Sequence, residues 1–103
     1  MDTKKVIVAI DTTDLNKVDN LLKSLNKVIS IFKIGMQSFT KYGVDIVKRV
    51  QDYGYNVFLD LKFFDIPNTV EKAVYSAMEN NIYMLTLHIM GGKDMIRKAT
   101  DIK

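Results

Sequence analysis

Hydrophobic residues are grouped into four short runs, separated by longer stretches with helical spacing. The runs are VIVAI (6–10), ISIFKIG (29–35), NVFLDLKF (56–63) and YMLTLHI (83–89). Each is rich in β-branched or aromatic residues, which is typical of buried strands. The pattern therefore predicts four strands, beginning near residues 6, 29, 56 and 83.

The segments between these runs predict helices, because their apolar positions recur every three or four residues. The first predicted helix spans 14–28, with Leu15, Val18, Leu21, Leu22, Leu25 and Val28 on one face. The second spans 44–53 and is expected to end at Gly54. The third carries Val70, Ala73, Val74, Ala77 and Met78, with Asn68 as its predicted cap after Pro67. A fourth begins near Lys93, after a turn at Gly91–Gly92, and is expected to run to the end of the chain.

The alternation βαβαβαβα predicts an α/β fold with a parallel sheet flanked by helices. Two architectures fit this order: an open doubly wound sheet, or part of a (β/α)8 barrel. The Gly-rich phosphate fingerprint of a dinucleotide-binding fold does not follow the first run, where the chain reads AIDTTDLN. That difference favours the barrel and leaves the open sheet as the alternative.

Composition and charge indicate a single globular domain of ordinary kind. The 103 residues are 48% hydrophobic and 26% charged, and the net charge of +3 is spread without a run of like charges. A nucleic-acid groove is therefore not expected. There is no cysteine, which excludes disulfides and thiolate metal sites. The first apolar run is too short for a signal peptide and no run has the length of a membrane span, so a cytoplasmic protein is expected.

Polar residues stand near the carboxyl end of every predicted strand, where chemistry gathers in βα folds. They are Asp11 after the first strand, Lys33 in the second, Asp60 and Lys62 in the third, and His88 in the fourth. Side chains alternate across a strand, so Asp60 and Lys62 are expected to project from the same face. Burying a charge is costly unless it is paired, so charged residues in apolar runs need an explanation.

Each of these residues also has a structural interpretation. Asp11 could cap the first helix, and alone this is the stronger interpretation of it. Lys33 could extend its ammonium to the rim of the sheet. Asp60 and Lys62 could form a structural ion pair, although such pairs seldom compensate for their desolvation. His88 is expected to be a hydrogen-bonded core histidine rather than a catalyst.

The run FLDLKFFDIPNTV (58–70) resembles the signature of the orotidine 5′-phosphate decarboxylase family. The resemblance continues through VAID, FKIGMQSF and LHIMGGKDMI, and so covers essentially the whole chain. Related sugar-phosphate enzymes of the same barrel group share the D-x-K-x-x-D core, whereas the I-P-N-T that follows is similar to the decarboxylase. One local departure is the pair Ile89 and Met90, where the family commonly has small residues.

The resemblance implies cofactor-free and metal-free decarboxylation of orotidine monophosphate, a step of pyrimidine synthesis. It implies an alternating tetrad in which Lys62 is the general acid and Asp60 lies beside the departing carboxylate. Asp65 would reach across a homodimer interface into the neighbouring site. The full set implied is catalytic Lys33, Asp60, Lys62 and Asp65, with substrate contacts from Asp11, Lys33, Asp60 and Thr69.

The resemblance also implies that residues 1–103 form only the N-terminal half of a (β/α)8 decarboxylase barrel, since a whole barrel needs roughly 200 residues or more. The absent C-terminal half would supply the phosphate grip. Three hypotheses follow. The chain is part of an enzyme completed by a second copy or by a separate C-terminal half, it is a non-catalytic half-barrel, or it is a related sugar-phosphate decarboxylase or aldolase that requires a divalent metal.

Overall fold

The computed structural model describes residues 5–26 and 28–102, which form four strands and five α-helices. The strands are β1 (Ile7–Ile10), β2 (Ile31–Gly35), β3 (Asn56–Phe63) and β4 (Met84–Leu87). The helices are α1 (Leu15–Ser24), α2 (Met36–Tyr42), α3 (Val44–Asp52), α4 (Pro67–Glu79) and α5 (Gly92–Thr100), and a short 3₁₀ helix covers Ile89–Gly91. All four predicted strands are confirmed, with β1, β2 and β4 shorter than expected. Among the described residues, no helix combines the length and apolar character needed to cross a membrane.

The strands form one parallel sheet in the order β1-β2-β3-β4. Every strand is paired with its neighbour in the chain, so each crossover advances the sheet by one position in the same direction. A doubly wound sheet reverses its strand order at a switch point, whereas a barrel does not. The sheet therefore has the order of consecutive barrel strands, as the alternation predicted.

The core lies between one face of the sheet and the helices. A first cluster joins α1 and α3 to β1, β2 and the first part of β3, and Phe32, Leu22 and Ile46 are among its fully buried side chains. A second cluster joins α4 and α5 to the carboxyl end of β3 and to β4 around Val70 and Met95. Burial of this apolar area, at roughly 25 cal/mol per Å², is what attaches the helices to the sheet.

The opposite face of the sheet carries the alternate residues of each strand, and two of its apolar members are partly exposed. Ile7 of β1 is 37% exposed and Met84 of β4 is 40% exposed. Lys33, Asp60 and Thr86 belong to this same face, because strand pairing aligns Lys33 with Phe58, Gly35 with Asp60, and Phe58 with Met84, two positions before Thr86. In a closed barrel this face would be the interior.

Helix α1 differs from the prediction at both ends. Asp14, not Asp11, is its N-cap, since Asp14 Oδ1 accepts the backbone N–H groups of Asn16 at 2.9 Å and Lys17 at 3.4 Å. The helix ends at Ser24, and turn hydrogen bonds from Val28 and Ile29 to the Leu25 carbonyl replace the helical pattern. Val28, predicted on the buried face, is therefore 52% exposed.

Helix α2 is absent from the sequence prediction, since its seven residues are too few to show amphipathic periodicity. It begins directly after β2 and is separated from α3 by Gly43, whose φ of +63° favours glycine. Helix α3 follows the prediction closely, and Gly54 at φ +90° ends it as expected.

The starts and ends of the last two helices correct two further predictions. Helix α4 begins at Pro67 with Ile66 as N-cap, so Asn68 lies inside the first turn and is not the cap. A proline is well suited to the first helical position because its φ is already helical and its missing N–H is not needed there. Helix α5 ends at Thr100 with Asp101 as C-cap, so the helix does not run to the end of the chain.

Candidate active site

A polar cavity of about 220 Å³ lies at the carboxyl ends of β1, β2 and β3. It brings together four of the residues that the sequence singled out: Asp11, Lys33, Asp60 and Lys62. The remaining lining comes from Ile10 and from the start of α2, residues 35–38. The cavity is smaller than the roughly 300–1,000 Å³ usual for small-molecule sites, so it is too small to enclose a whole ligand of that class.

Asp60 is at the centre of the charged cluster. Lys62 Nζ lies 3.0 Å from Asp60 Oδ1 and 3.1 Å from Oδ2, and Lys33 Nζ lies 3.5 Å from Oδ2. Thr86 donates its hydroxyl to Oδ1 at 2.7 Å. The Asp60 side chain is only 12% exposed, whereas those of Lys33 and Lys62 are 36% and 61% exposed. One carboxylate is thus held between two ammonium groups that face the opening.

These contacts favour the ionised form of Asp60. The hydrogen bond from Thr86, followed by that from Lys62, lowers the pKa of the Asp60 carboxyl below its ordinary value of 3.8. Partial burial opposes the shift, and the positive charges of Lys62 and Lys33 add to it. The cluster therefore keeps a negative charge flanked by two positive ones at neutral pH.

The backbone of Lys62 lies in the left-handed region, with φ +51°. Pairing of β3 with β4 is regular at Phe58–Met84 and Leu59–Leu85, then shifts before it resumes at Phe63–Leu87. A non-glycine residue with this φ is uncommon, and such residues concentrate at functional sites. The predicted shared face of Asp60 and Lys62 is confirmed by their contact, but the strand is irregular there.

Helix α2 helps to hold the loop that carries Asp11. Buried Ser38 donates its hydroxyl to the Thr12 carbonyl at 3.3 Å, and the Tyr42 hydroxyl donates to the Thr13 carbonyl. Asp11 comes directly after β1 and is exposed at the cavity. Because Asp14 caps α1, Asp11 is not needed as a cap, and the interpretation first favoured for it is wrong.

Asp65 and Thr69 do not line this cavity. Asp65 lies in the exposed loop after β3, where its Oδ1 accepts the Ile66 N–H at 2.7 Å. Thr69 is exposed in the first turn of α4. A single copy of the chain thus brings together three members of the expected tetrad, and the fourth points to the surrounding solvent.

His88 follows β4 and is only half-buried. Its Nδ1 accepts the Met90 N–H at 3.1 Å, and its ring stacks on Phe64 with centroids 4.9 Å apart. The expected hydrogen bond is therefore present, but the histidine belongs to the rim of the sheet and not to the core. It does not line the cavity that holds Asp60.

Thr86 is the site residue that sequence reasoning missed. Its hydroxyl bonds to Asp60 and also accepts the backbone N–H of Lys62 at 3.0 Å. The available signal was alternation, since Thr86 is a polar residue two positions before His88 in an apolar strand. Threonine is common in strands, so its presence in β4 does not by itself indicate a site residue.

Two arginines are present in the sequence, and both are placed away from the cavity. Arg49 of α3 pairs with Asp19 of α1, with its Nη1 2.9 Å from both carboxylate oxygens. Arg97 of α5 lies beside Pro67 and Glu71 at a separate surface depression. The cluster at Asp60 can supply fixed charge and a proton from its two lysines, and neither arginine lines its cavity.

Comparison with known proteins identifies the family of this chain. The model of the orotidine 5′-phosphate decarboxylase / HUMPS family matches residues 4–102. The chain is 44% identical over 101 residues to orotidine 5′-phosphate decarboxylase from Ehrlichia chaffeensis, covering 98% of this chain and 44% of that protein. The corresponding enzyme from Ehrlichia canis is 48% identical over 96 residues, covering 93% and 42%.

Solved structures give the same result for the fold. The crystal structure of orotidine 5′-phosphate decarboxylase from Lactobacillus acidophilus superposes with a TM-score of 0.82 at 37% identity, covering 95% of this chain and 44% of that one. The chain therefore spans less than half the length of the relatives it matches. Its sequence and its sheet order agree, and the chain belongs to the orotidine 5′-phosphate decarboxylase / HUMPS family.

Proposed function

We propose that this chain supplies the charged half of a site that decarboxylates orotidine 5′-monophosphate to uridine 5′-monophosphate. The observation that carries the proposal is the Lys33–Asp60–Lys62 cluster in one cavity at the carboxyl ends of the strands. Relatives named orotidine 5′-phosphate decarboxylase support the choice of substrate. The chain alone is proposed to be incompetent, because the phosphate-binding half is expected from elsewhere.

The reaction needs a fixed cation at one ring carbon. The bond from C6 to the carboxylate breaks, carbon dioxide leaves, and the electron pair stays on C6. Lys62 then donates a proton to C6 to form the C–H bond, and the neutral amine regains a proton from solvent. A preorganised ammonium stabilises the developing carbanion before proton transfer is complete, and its ion pair with Asp60 holds it in place.

The other residues are proposed to bind and orient the substrate. Asp11 and Lys33 line the cavity beside Asp60 and are suited to the ribose hydroxyls, since they offer an acceptor and a donor. Asp65 and Thr69 are exposed on one copy, which is compatible with their acting in the site of a second subunit. We propose a homodimer on that ground.

Remote binding energy from the phosphate is what lowers the barrier in an enzyme of this kind. In this chain the two arginines are placed elsewhere, as described above. The proposal therefore includes a partner, either a second copy or a separate C-terminal half, that supplies the phosphate contacts and covers the face carrying Ile7 and Met84.

The test is decarboxylation of orotidine monophosphate by the purified chain, alone and mixed with the C-terminal half of a relative. Lys62→Ala is the inactive variant, and Lys23→Ala, at an exposed lysine of α1, is its matched control. We expect activity in the mixture that is lost with Lys62→Ala and retained with Lys23→Ala. Equal, negligible rates in every mixture would indicate a non-catalytic half-barrel.

A parallel assay addresses the metal-dependent sugar-phosphate alternative. The active mixture is treated with EDTA and assayed again with orotidine monophosphate. Unchanged turnover is expected, because the proposed chemistry uses only protein groups. Turnover that disappears with EDTA and returns with a divalent cation would contradict the proposal and favour the sibling class.

A further inference from the structure

Thr86 makes two hydrogen bonds through one hydroxyl group. It donates to Asp60 Oδ1 at 2.7 Å and accepts the backbone N–H of Lys62 at 3.0 Å. A hydroxyl has a single hydrogen, so the donation to Asp60 leaves the oxygen lone pairs for the Lys62 N–H. Thr86 lies on β4, and it therefore links that strand to both charged residues of β3.

The position of this hydroxyl coincides with the irregular part of β3. Regular pairing with β4 is interrupted between Leu59 and Phe63, and Lys62 has φ +51° in that interval. A backbone N–H without a partner would add to the cost of the left-handed conformation. The Thr86 side chain provides that partner, so the local backbone shape depends on a residue of another strand.

We propose that Thr86 is a positioning residue of the site, which sets both the orientation of the Asp60 carboxylate and the left-handed backbone conformation of Lys62. Asp60 has two oxygens: Thr86 donates to Oδ1 only, Lys62 donates to both, and Lys33 lies 3.5 Å from Oδ2. Without the hydroxyl, rotation of the carboxylate would change its distances to both ammonium groups.

The charge state of Asp60 reports this role directly. Thr86 of β4, Lys62 of β3 and Lys33 of β2 all face its carboxylate, and Asp11 lines the same cavity. The hydrogen bond from Thr86 is the largest contribution that lowers the pKa of Asp60. Removing this donor should therefore raise the pKa of Asp60 towards its ordinary value.

The first experiment needs no turnover. The Asp60 carboxyl is titrated by ¹³C NMR in the full chain and in Thr86→Val, Thr86→Ser and Thr100→Val. Thr100→Val is the matched control, since it removes a hydroxyl that bonds to the Arg97 carbonyl on α5. We expect a higher Asp60 pKa in Thr86→Val and wild-type values in Thr86→Ser and Thr100→Val. A Thr86→Val chain that titrates as wild type would overturn the inference.

The second experiment rests on the proposed function. In the mixture with a C-terminal half, Thr86→Val should lower kcat by about ten- to a hundredfold with little change in KM, because hydrogen bonds to charged groups contribute about 1.5–3 kcal/mol. Thr86→Ser should restore most of the rate. Loss of rate in Thr86→Ser equal to that in Thr86→Val would contradict the role of the hydroxyl.

The two readouts separate the inference from the proposed function. An Asp60 pKa that depends on Thr86, together with no turnover in any mixture with a C-terminal half, would support the positioning role and reject the decarboxylase proposal. An Asp60 pKa that does not change with Thr86, in an active mixture, would reject the positioning role and support the decarboxylase proposal. Backbone amide shifts of Thr86→Val identify any loss of folding, and Thr86→Ser then carries the titration test.

Discussion

Asp60 and Lys62 form an ion pair at 3.0 Å although the backbone of Lys62 lies in the left-handed region at φ +51°. Residues two positions apart on a regular strand already share a face, so the left-handed conformation of Lys62 is not required for the two side chains to meet. This conformation instead occurs where the pairing of β3 with β4 is interrupted. The site therefore combines a favourable charge contact with an unfavourable backbone conformation, and both can be measured.

The backbone cost at Lys62 predicts that glycine is better tolerated there than alanine. Lys62→Gly should be more stable than Lys62→Ala by about 1 kcal/mol, since left-handed conformations cost non-glycine residues roughly 1–2 kcal/mol. The free energies of urea unfolding of the two variants measure this. Lys33, in the regular strand β2, is the control position. There Lys33→Gly should be less stable than Lys33→Ala by about 0.5–1 kcal/mol. The same order at both positions would contradict the prediction.

The lowered pKa of Asp60 predicts a specific loss of stability in acid. The folded state binds the proton more weakly than the unfolded state, whose pKa is near the ordinary 3.8. The stabilisation from ionised Asp60 is therefore present above 3.8 and is lost as the pH falls through that value to the lower folded pKa. Unfolding free energies of wild type and Asp60→Asn should converge as the pH falls across that window. If the unfolding free energies of the two proteins instead run parallel against pH, the pKa of Asp60 is not lowered by folding.

The observed cap of α1 predicts different effects for two residues that look alike in the sequence. Asp14→Ala should destabilise the chain by about 1 kcal/mol, because two backbone N–H groups lose their acceptor. Asn68→Ala should change stability by less than about 0.5 kcal/mol, since Asn68 is exposed and is not the cap of α4. Thermal and urea unfolding of both variants provide the comparison, and equal losses would contradict the assigned caps.

Gly91 is predicted to be required by packing and not by its backbone angle. A Cβ at Gly91 would lie 2.1 Å from Met95 Sδ and 2.3 Å from Met95 Cε. Met95 is fully buried in the cluster of α4 and α5. Gly91→Ala should therefore destabilise the chain by about 1 kcal/mol through overpacking, since the clashing atoms are the flexible end of a side chain that is fully buried.

The control for this prediction is a double variant. Gly91→Ala combined with Met95→Ala should lose less stability than the sum of the two single changes, because Met95→Ala removes the atoms that clash. The test is a double-mutant cycle measured by urea unfolding. Additive losses would show that the cost of Gly91→Ala does not come from contact with Met95.

The local pattern of the sequence predicted most of the secondary structure. Strand β3 follows the run 56–63, and α3 follows its apolar spacing to the glycine that ends it. These elements are predictable because alternation and helical periodicity are properties of neighbouring residues. Helix α2 was missed for the same reason, since a helix of seven residues stabilised by contacts to the β1–α1 loop carries little periodic signal.

The caps show where local signals compete. Asp11 and Asp14 are both acidic residues before an apolar helix, and only the path of the chain after β1 decides which one reaches the helical N–H groups. Asn68 follows Pro67 in a sequence that resembles a capping box, yet the proline itself begins the helix. In both cases the choice depends on backbone direction, which short-range composition does not encode.

The sequence by itself determined the order of strands and helices apart from α2, the family, and the residue types that stand at the strand ends. The tertiary structure alone decided which of them meet: Lys33 and Asp60 through the register of β2 with β3, and Thr86 with Asp60 across β3 and β4. Periodicity specifies the face on which a side chain lies. Register and backbone irregularity between distant segments set the distances, and those depend on how the whole sheet packs.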